Sequence, residues 1–109
     1  MIDAEKTVVV FRKWRPTHWG GCGDGILALF PEVPVKPDGG SECDAYERIG
    51  GLGGADYQAC ILRTRPATPA EYADIKAELE GTNYGYNLDV RRRATAAMHD
   101  KRRREARLT

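Results

Sequence analysis

Four glycines within five residues, followed by a possible helix start, form the stretch of this sequence most suited to ligand chemistry. The stretch reads ERIGGLGGADY and runs from Glu47 to Tyr57. Successive backbone N–H groups of a glycine-rich loop can converge on a phosphate, especially at a helix N-terminus. Flanking arginines add charge, and a tyrosine can stack on a base. The pattern predicts a site for an anionic nucleotide formed by Arg48, Gly50, Gly51, Gly53, Gly54, Tyr57 and Arg63.

The same glycines are equally compatible with a plain turn. IGGLGGAD matches neither GxxxxGK[ST] nor a GxGxxG placed between strand and helix, because no lysine follows and the spacing differs. Asp56 would lie in the first helical turn and compete with a bound anion for its positive end. Two interpretations therefore stay open: a flexible turn that needs positive φ at several positions, or an anion-binding loop.

A second constellation, RKWRPTHW, interleaves basic residues with two tryptophans over residues 12–19. Such a mixture suits phosphate contacts and base stacking. It suits a protein interface equally, because exposed Trp and Arg are frequent hot-spot residues. One tryptophan is expected in the core, which leaves Trp19 as the candidate partner contact.

The charge of the chain is strongly segregated. Residues 1–90 hold 9 Lys and Arg against 14 Asp and Glu, whereas residues 91–109 hold 8 against 2. A basic tail can neutralise phosphates of nucleic acid or bind the acidic body of a second subunit. Arg102, Arg103 and Arg104 are the candidate partner contacts in this tail.

The bulk composition limits the class of protein. A chain of 109 residues predicts one domain, so function is expected on a surface, a loop or an oligomer interface. No apolar run is long enough for a membrane helix, and the acidic N-terminus does not resemble a signal peptide, which predicts a cytoplasmic protein. Cys22, Cys43 and Cys60 lack a CxxC pair, and a zinc site would also need His18, so we expect packed thiols, no metal and no cofactor.

The spacing of apolar residues, together with capping and turn residues, predicts the helices and strands that position the candidate site residues. Thr68 as N-cap, Pro69 at the first helical position, Glu71 as capping-box partner and Gly81 as stop define one helix. Its buried stripe is Tyr72, Ile75 and Leu79. A further helix is expected within residues 55–65, and strands over residues 7–14, 26–30 (ended by Pro31) and 86–93. Residues 42–49 are compatible with a third strand or with a short helix.

This order predicts an α+β fold with an antiparallel sheet of three or four strands and one or two helices packed on one face. Residues 1–92 form the single domain, and residues 93–109 form the basic C-terminal tail or helix. The last strand is a candidate to pair with the first. The segment of residues 31–41, rich in proline and glycine, is expected to be an exposed, extended loop.

Several segments, in this order, resemble a group of small uncharacterised proteins of bacterial genomes, phages and plasmids: FRKW, ALFPE, GGADY, TRPAT, EYADIKAELEG and GYNLDV. The resemblance covers roughly residues 8–91 and implies the fold and a mobile-element setting. Those relatives often carry a histidine-bearing HVGQHG before ADY, where this chain has RIGGLGG. Histidine chemistry of that kind is therefore not expected here.

From these patterns we expect a non-enzymatic binding protein of mobile-element type that antagonises host defence by binding an anionic nucleotide signal. A protein–protein inhibitor of a host defence effector is the first alternative, and nucleic-acid binding through the basic tail is the second. The chain has only two histidines and no GxSxG or HExxH signature, so we assign no catalytic residues. A homo-oligomer, with or without an enzyme site at its interface, stays open.

Overall fold

The computed structural model describes residues 6–16, 25–35, 42–47 and 51–107. Six strands and three helices form this part of the chain, which confirms the α+β class. In chain order they are β1 (Thr7–Trp14), β2 (Ile26–Pro34), β3 (Glu42–Glu47), β4 (Gly51–Asp56), α1 (Tyr57–Arg63), β5 (Thr64–Pro66), α2 (Pro69–Glu80), β6 (Leu88–Arg91) and α3 (Ala96–Arg107).

The strands form one sheet in the order β4-β3-β2-β1-β5, and β6 also pairs with β1. Two strands share the outer edge of β1: β6 runs parallel to residues 7–10, and β5 runs antiparallel to residues 12–14. All other pairings are antiparallel. The prediction of three or four strands is wrong because β4 is glycine-rich and β5 has only three residues, so neither carries a strand pattern.

Strand β1 lies in the interior of the sheet because its side chains are apolar on both faces. Val9 and Phe11 belong to one buried cluster, and Val10 belongs to the other. Strand β2 pairs with β1 in antiparallel direction, with Val10 opposite Leu29.

Helices cover both faces of the sheet, so the prediction that they pack on one face is wrong. Ile75 and Leu79 of α2 pack against the cluster that contains Phe11 and Phe30. Tyr57 and Cys60 of α1 pack against the opposite cluster. Helix α3 joins α1, since the His99 ring meets the Tyr57 ring edge-on at 4.8 Å. The sequence alone does not show this, because both faces of β1 and β2 are equally apolar.

Strand β2 continues past the predicted end at Pro31. Its regular pairing with β3 stops at Phe30 and resumes at Pro34, so the intervening residues form an irregular bulge. Prolines are tolerated there because a bulge does not need every N–H donor. The carbonyl of Pro31 instead accepts a hydrogen bond from Arg102 of α3, at 2.8 Å. The bulge thus docks the basic helix, and the expected loop is wrong for residues 31–34, whereas residues 36–41 of it lie outside the described residues.

Helix α2 has the predicted caps. The Thr68 hydroxyl accepts from the Glu71 N–H, the Glu71 carboxylate accepts from the Thr68 N–H, and Pro69 begins the helix. The last strand packs one face against the same cluster, because Leu88 is buried with Tyr86 and Val90 beside it. Within the described ranges, no helix combines the length and apolar character needed to cross a bilayer.

Candidate functional site

The glycine stretch is an edge strand rather than a turn or a loop over residues 51–54. Each residue of β4 lies opposite a residue of β3, from Gly51 opposite Glu47 to Asp56 opposite Glu42. Of these glycines only Gly51 has positive φ, at +70°. A strand directs successive N–H groups to opposite sides, so they do not converge on one phosphate. Arg48 and Gly50 lie outside the described residues.

The structure does not bring the other predicted ligand residues to these glycines. Tyr57 is buried, and its hydroxyl accepts from the Ala94 N–H at 2.8 Å. Arg63 is exposed but ends α1 directly before β5. Strand β5 is four strand spacings from β4, roughly 19 Å. Helix α1 begins as expected, with Asp56 accepting from the Ala59 N–H at its N-terminus.

The predicted contacts of the basic tail have three different environments. Arg102 is 2% exposed and lies on the inner face of α3, where its Nη1 donates to Pro31 O and to His99 Nδ1. Arg103 pairs with Asp100 at 3.2 Å. Arg104 is exposed. Trp19, the other predicted partner contact, lies outside the described residues.

A buried arginine organises the opposite edge of the sheet. Arg12 of β1 donates from Nε to Thr64 Oγ1 at 2.9 Å and from Nη2 to the carbonyls of Thr64 and Ile61. It therefore closes the C-terminal end of α1, where a cation is favoured by the helix dipole. Burial lowers the pKa of its guanidinium, with Arg15 and Arg92 as smaller repulsive contributions.

Two exposed arginines, Arg15 and Arg92, act on the charge of this buried one, and exposed Arg63 directly precedes Thr64, to which Arg12 donates. Arg15 follows β1, and its N–H donates to the Arg63 carbonyl at 3.1 Å. Arg92 follows β6, whose last pair places Arg91 opposite Val10. In the described part of the chain, the side chains of Arg15, Arg63 and Arg92 form no salt bridge. We call Arg12, Arg15, Arg63 and Arg92 the arginine edge.

A cleft of about 270 Å³ lies beside Arg92, between the ends of β5 and β6. The Phe11 and Tyr72 rings line it and stack on each other, with centroids 4.4 Å apart. Its rim carries Arg92 and also Arg91, which is held by Asp89 in a two-point ion pair. Cation, aromatic ring and concave surface thus meet at one place.

The far edge of the sheet has the opposite charge. Strands β3 and β4 carry Glu42, Asp44, Glu47 and Asp56, and no Lys or Arg occurs within either strand. The charge segregation seen along the sequence is therefore also a segregation across the sheet. We call β3 and β4 the acidic edge.

The two described cysteines are packed thiols. Cys43 and Cys60 are free and buried. Burial raises the pKa of Cys43 to about 12 and also raises the pKa of Cys60. The nucleophilic thiolate is thus disfavoured at neutral pH. The described residues contain no group of three or more potential metal-ligating side chains, and His18 and Cys22 lie outside them.

In the sequence, Arg15 and Arg92 belong to two separate basic runs, RKWRPTHW and the C-terminal tail. The parallel pairing of β6 with β1 joins them, because it carries residue 92 to the middle of β1. The suggested return of the last strand to the first was the available signal. Comparison with protein-family models, curated proteins and solved structures gives no match to this chain.

Proposed function

We propose that this protein is a non-enzymatic binding protein whose ligand carries phosphate groups, and that the arginine edge binds them. The observation that carries this proposal is the set of exposed Arg15, Arg63 and Arg92 near buried Arg12, whose guanidinium groups have no carboxylate partner among the described residues. Guanidinium groups bind phosphate oxygens through paired, charge-assisted hydrogen bonds. Like charges held close together without counter-charges favour an anionic ligand.

The cleft supports a nucleotide as the class of ligand. Tyr72 is half-buried and already stacked on Phe11, so a base entering the cleft extends an existing stack. The volume of about 270 Å³ lies near the lower end of small-molecule sites. The resemblance to small phage and plasmid proteins favours, within this class, a nucleotide signal of a host defence system.

The distribution of tail arginines gives less support to nucleic-acid binding led by the tail. Arg102 is buried and Arg103 is paired, which leaves Arg104 as the exposed unpaired member of the three. A polyanion and a mononucleotide differ in a measurable way. Polyanion affinity falls steeply with salt because several counterions are released, whereas a small ligand shows a shallow dependence.

The test is titration calorimetry of the protein with ATP, GTP and cyclic dinucleotides, with a single-stranded oligonucleotide in parallel. Arg63→Gln and Arg92→Gln should each weaken nucleotide binding about tenfold, which corresponds to about 1.4 kcal/mol. Arg104→Gln is the matched control, since it removes the same charge from an exposed position on α3. Native mass spectrometry of the purified protein would report any retained ligand and the subunit count.

Two results would overturn the proposal. Equal binding by wild type, Arg63→Gln and Arg92→Gln would exclude the arginine edge as the site. Loss of binding on Gly53→Asp alone would return the site to the glycine strand. If no nucleotide binds and Trp19→Ala abolishes capture of a host protein, the inhibitor function takes its place.

A further inference from the structure

Strand β4 forms the acidic edge's outer boundary and pairs, within the described ranges, with β3 alone. Every second residue of such a strand directs its N–H and C=O away from its neighbour, which makes the edge a template for a further strand. Gly53 and Gly54 are exposed. A methyl group built on Gly53 would meet nothing within 4 Å, so the face of β4 is open at this residue.

A groove of about 310 Å³ lies next to this edge, on the face covered by α1. Small residues create it, because Gly53, Ala45 and Ala55 lie on this face and Cys60 of α1 forms its wall. Trp14 and Leu27 supply an apolar lining. A strand added to β4 would place alternate side chains over this groove.

The groove has a negative rim. The Glu47 carboxylate lines it and accepts a hydrogen bond from Trp14 Nε1 at 3.3 Å. Asp56 ends β4 and caps α1. Both carboxylates act on the Cys60 thiol, whose pKa is raised first by burial and then by Asp56 and Glu47.

We propose that β4 is a strand-addition site for an extended, basic segment of another protein, whose groove-facing side chains are apolar except for a Lys or Arg beside Gly51, within reach of Glu47. Main-chain hydrogen bonds to β4 would supply affinity, and the groove and rim would supply selectivity. This interface is independent of the arginine edge, which lies at the opposite edge of the sheet.

Charge decides against a second copy of this chain as the occupant. Pairing two β4 strands around a two-fold axis would bring together two edges whose strands β3 and β4 carry carboxylates and no Lys or Arg. Like charges on neighbouring strands repel each other and destabilise the pairing. A basic segment removes this repulsion and replaces it with attraction.

The experiment measures binding of a labelled peptide with the sequence KTVTVTK by fluorescence anisotropy, and protection of β4 amides by hydrogen exchange. Its Lys and Val side chains share one face, as the groove and Glu47 require, and it is symmetric with respect to strand direction. Peptides ETVTVTE and KTVPVTK are the probes for charge and for strand conformation, since proline cannot complete a ladder. We expect binding of KTVTVTK alone, with slower exchange over residues 51–56. Gly53→Val fills the groove and should weaken the peptide at least about tenfold.

Glu47→Gln should weaken the peptide severalfold, whereas Asp74→Asn, the matched charge change at an exposed position on α2, should not. Folding of each variant is checked by its unfolding midpoint. Equal binding of the lysine and glutamate peptides, or unchanged exchange of β4, would overturn the proposal. Protection of β4 that rises with protein concentration and needs no peptide would also overturn it, in favour of self-association.

Discussion

The two edges of this sheet show how one strand layout can present opposite surfaces. The arginine edge is shared by β5 and β6, and the first turn of α2 lies beside it. At the acidic edge β4 pairs on one side only, among the described residues, and it carries glycines instead of large side chains. One edge therefore offers fixed cations and a ring stack, and the other offers backbone groups beside a negative groove.

The exposed glycine backbone and the exposed arginines therefore lie at opposite edges of the sheet and do not form one site. Sequence reasoning expected the glycine backbone to bind an anion with help from Arg63. The fold instead places Arg63 at the far edge and surrounds the glycine strand with carboxylates. The acidic edge, with its exposed glycine backbone, therefore favours a cationic partner. The arginine edge favours an anionic one.

The largest expected effect separates the structural arginine from the three exposed ones. Arg12→Met should lower the free energy of unfolding by about 3 kcal/mol, because the carbonyls of Ile61 and Thr64 lose their charged donor in a buried place. Arg92→Gln should change it by less than about 0.5 kcal/mol. Urea unfolding measures both, and a stable Arg12→Met protein would show that the end of α1 does not depend on this side chain.

Next in size is a contrast within the glycine strand. Gly51→Ala should destabilise by about 1 kcal/mol, because an L-residue is strained at φ +70°. Gly53→Ala should stabilise by about 0.5 kcal/mol, since its φ is negative and its methyl group enters open space. Thermal unfolding of the two variants gives the sign of each change, and identical signs would contradict β4 as an ordinary strand beyond residue 51.

An effect similar to that of Gly51→Ala is expected at the cap of α2, whose first turn lines the cleft. Thr68→Ala removes the acceptor for the Glu71 N–H and should cost about 1 kcal/mol. Thr82→Ala, at an exposed position just after α2, is the control and should cost little. If both variants unfold at the same urea concentration, the capping box contributes nothing measurable.

The smallest effect is a pH dependence in α3, which lies over β2 between the two edges. His99 Nδ1 accepts from Arg102, which requires a neutral ring, and burial with Arg102 and Arg103 lowers the pKa of His99, while Asp100 opposes them. The unfolded chain therefore binds the proton more readily, so stability is complete above pH 6.5 and falls as the pH drops below it. Tyr57 meets the ring edge-on and stays neutral in this range.

His99→Gln keeps an acceptor and removes the titration. Its unfolding midpoint should therefore fall less than that of wild type between pH 7 and pH 5. The difference between the two proteins cancels any contribution of His18. Parallel profiles would show that His99 titrates alike in the folded and unfolded states.

Local patterns were enough for the elements whose cause is local. The cap, first turn and stop of α2 follow from Thr68, Pro69 and Gly81, because capping bonds join residues three apart. The interior position of β1 follows from its run of valines, since no face of it is polar. Class and charge segregation are likewise properties of the sequence itself.

Only the tertiary structure decided which edge each charge occupies. The strand nature of Gly51–Asp56 depends on its pairing with β3, because glycine has no strand preference of its own. The arginine edge depends on a parallel return of β6 to β1 across about 80 residues of chain, a long-range pairing that no local pattern encodes. Arg102 is buried on the inner face of α3 because the Pro31 carbonyl in the bulge accepts its hydrogen bond. The spacing of arginines in the tail does not predict this.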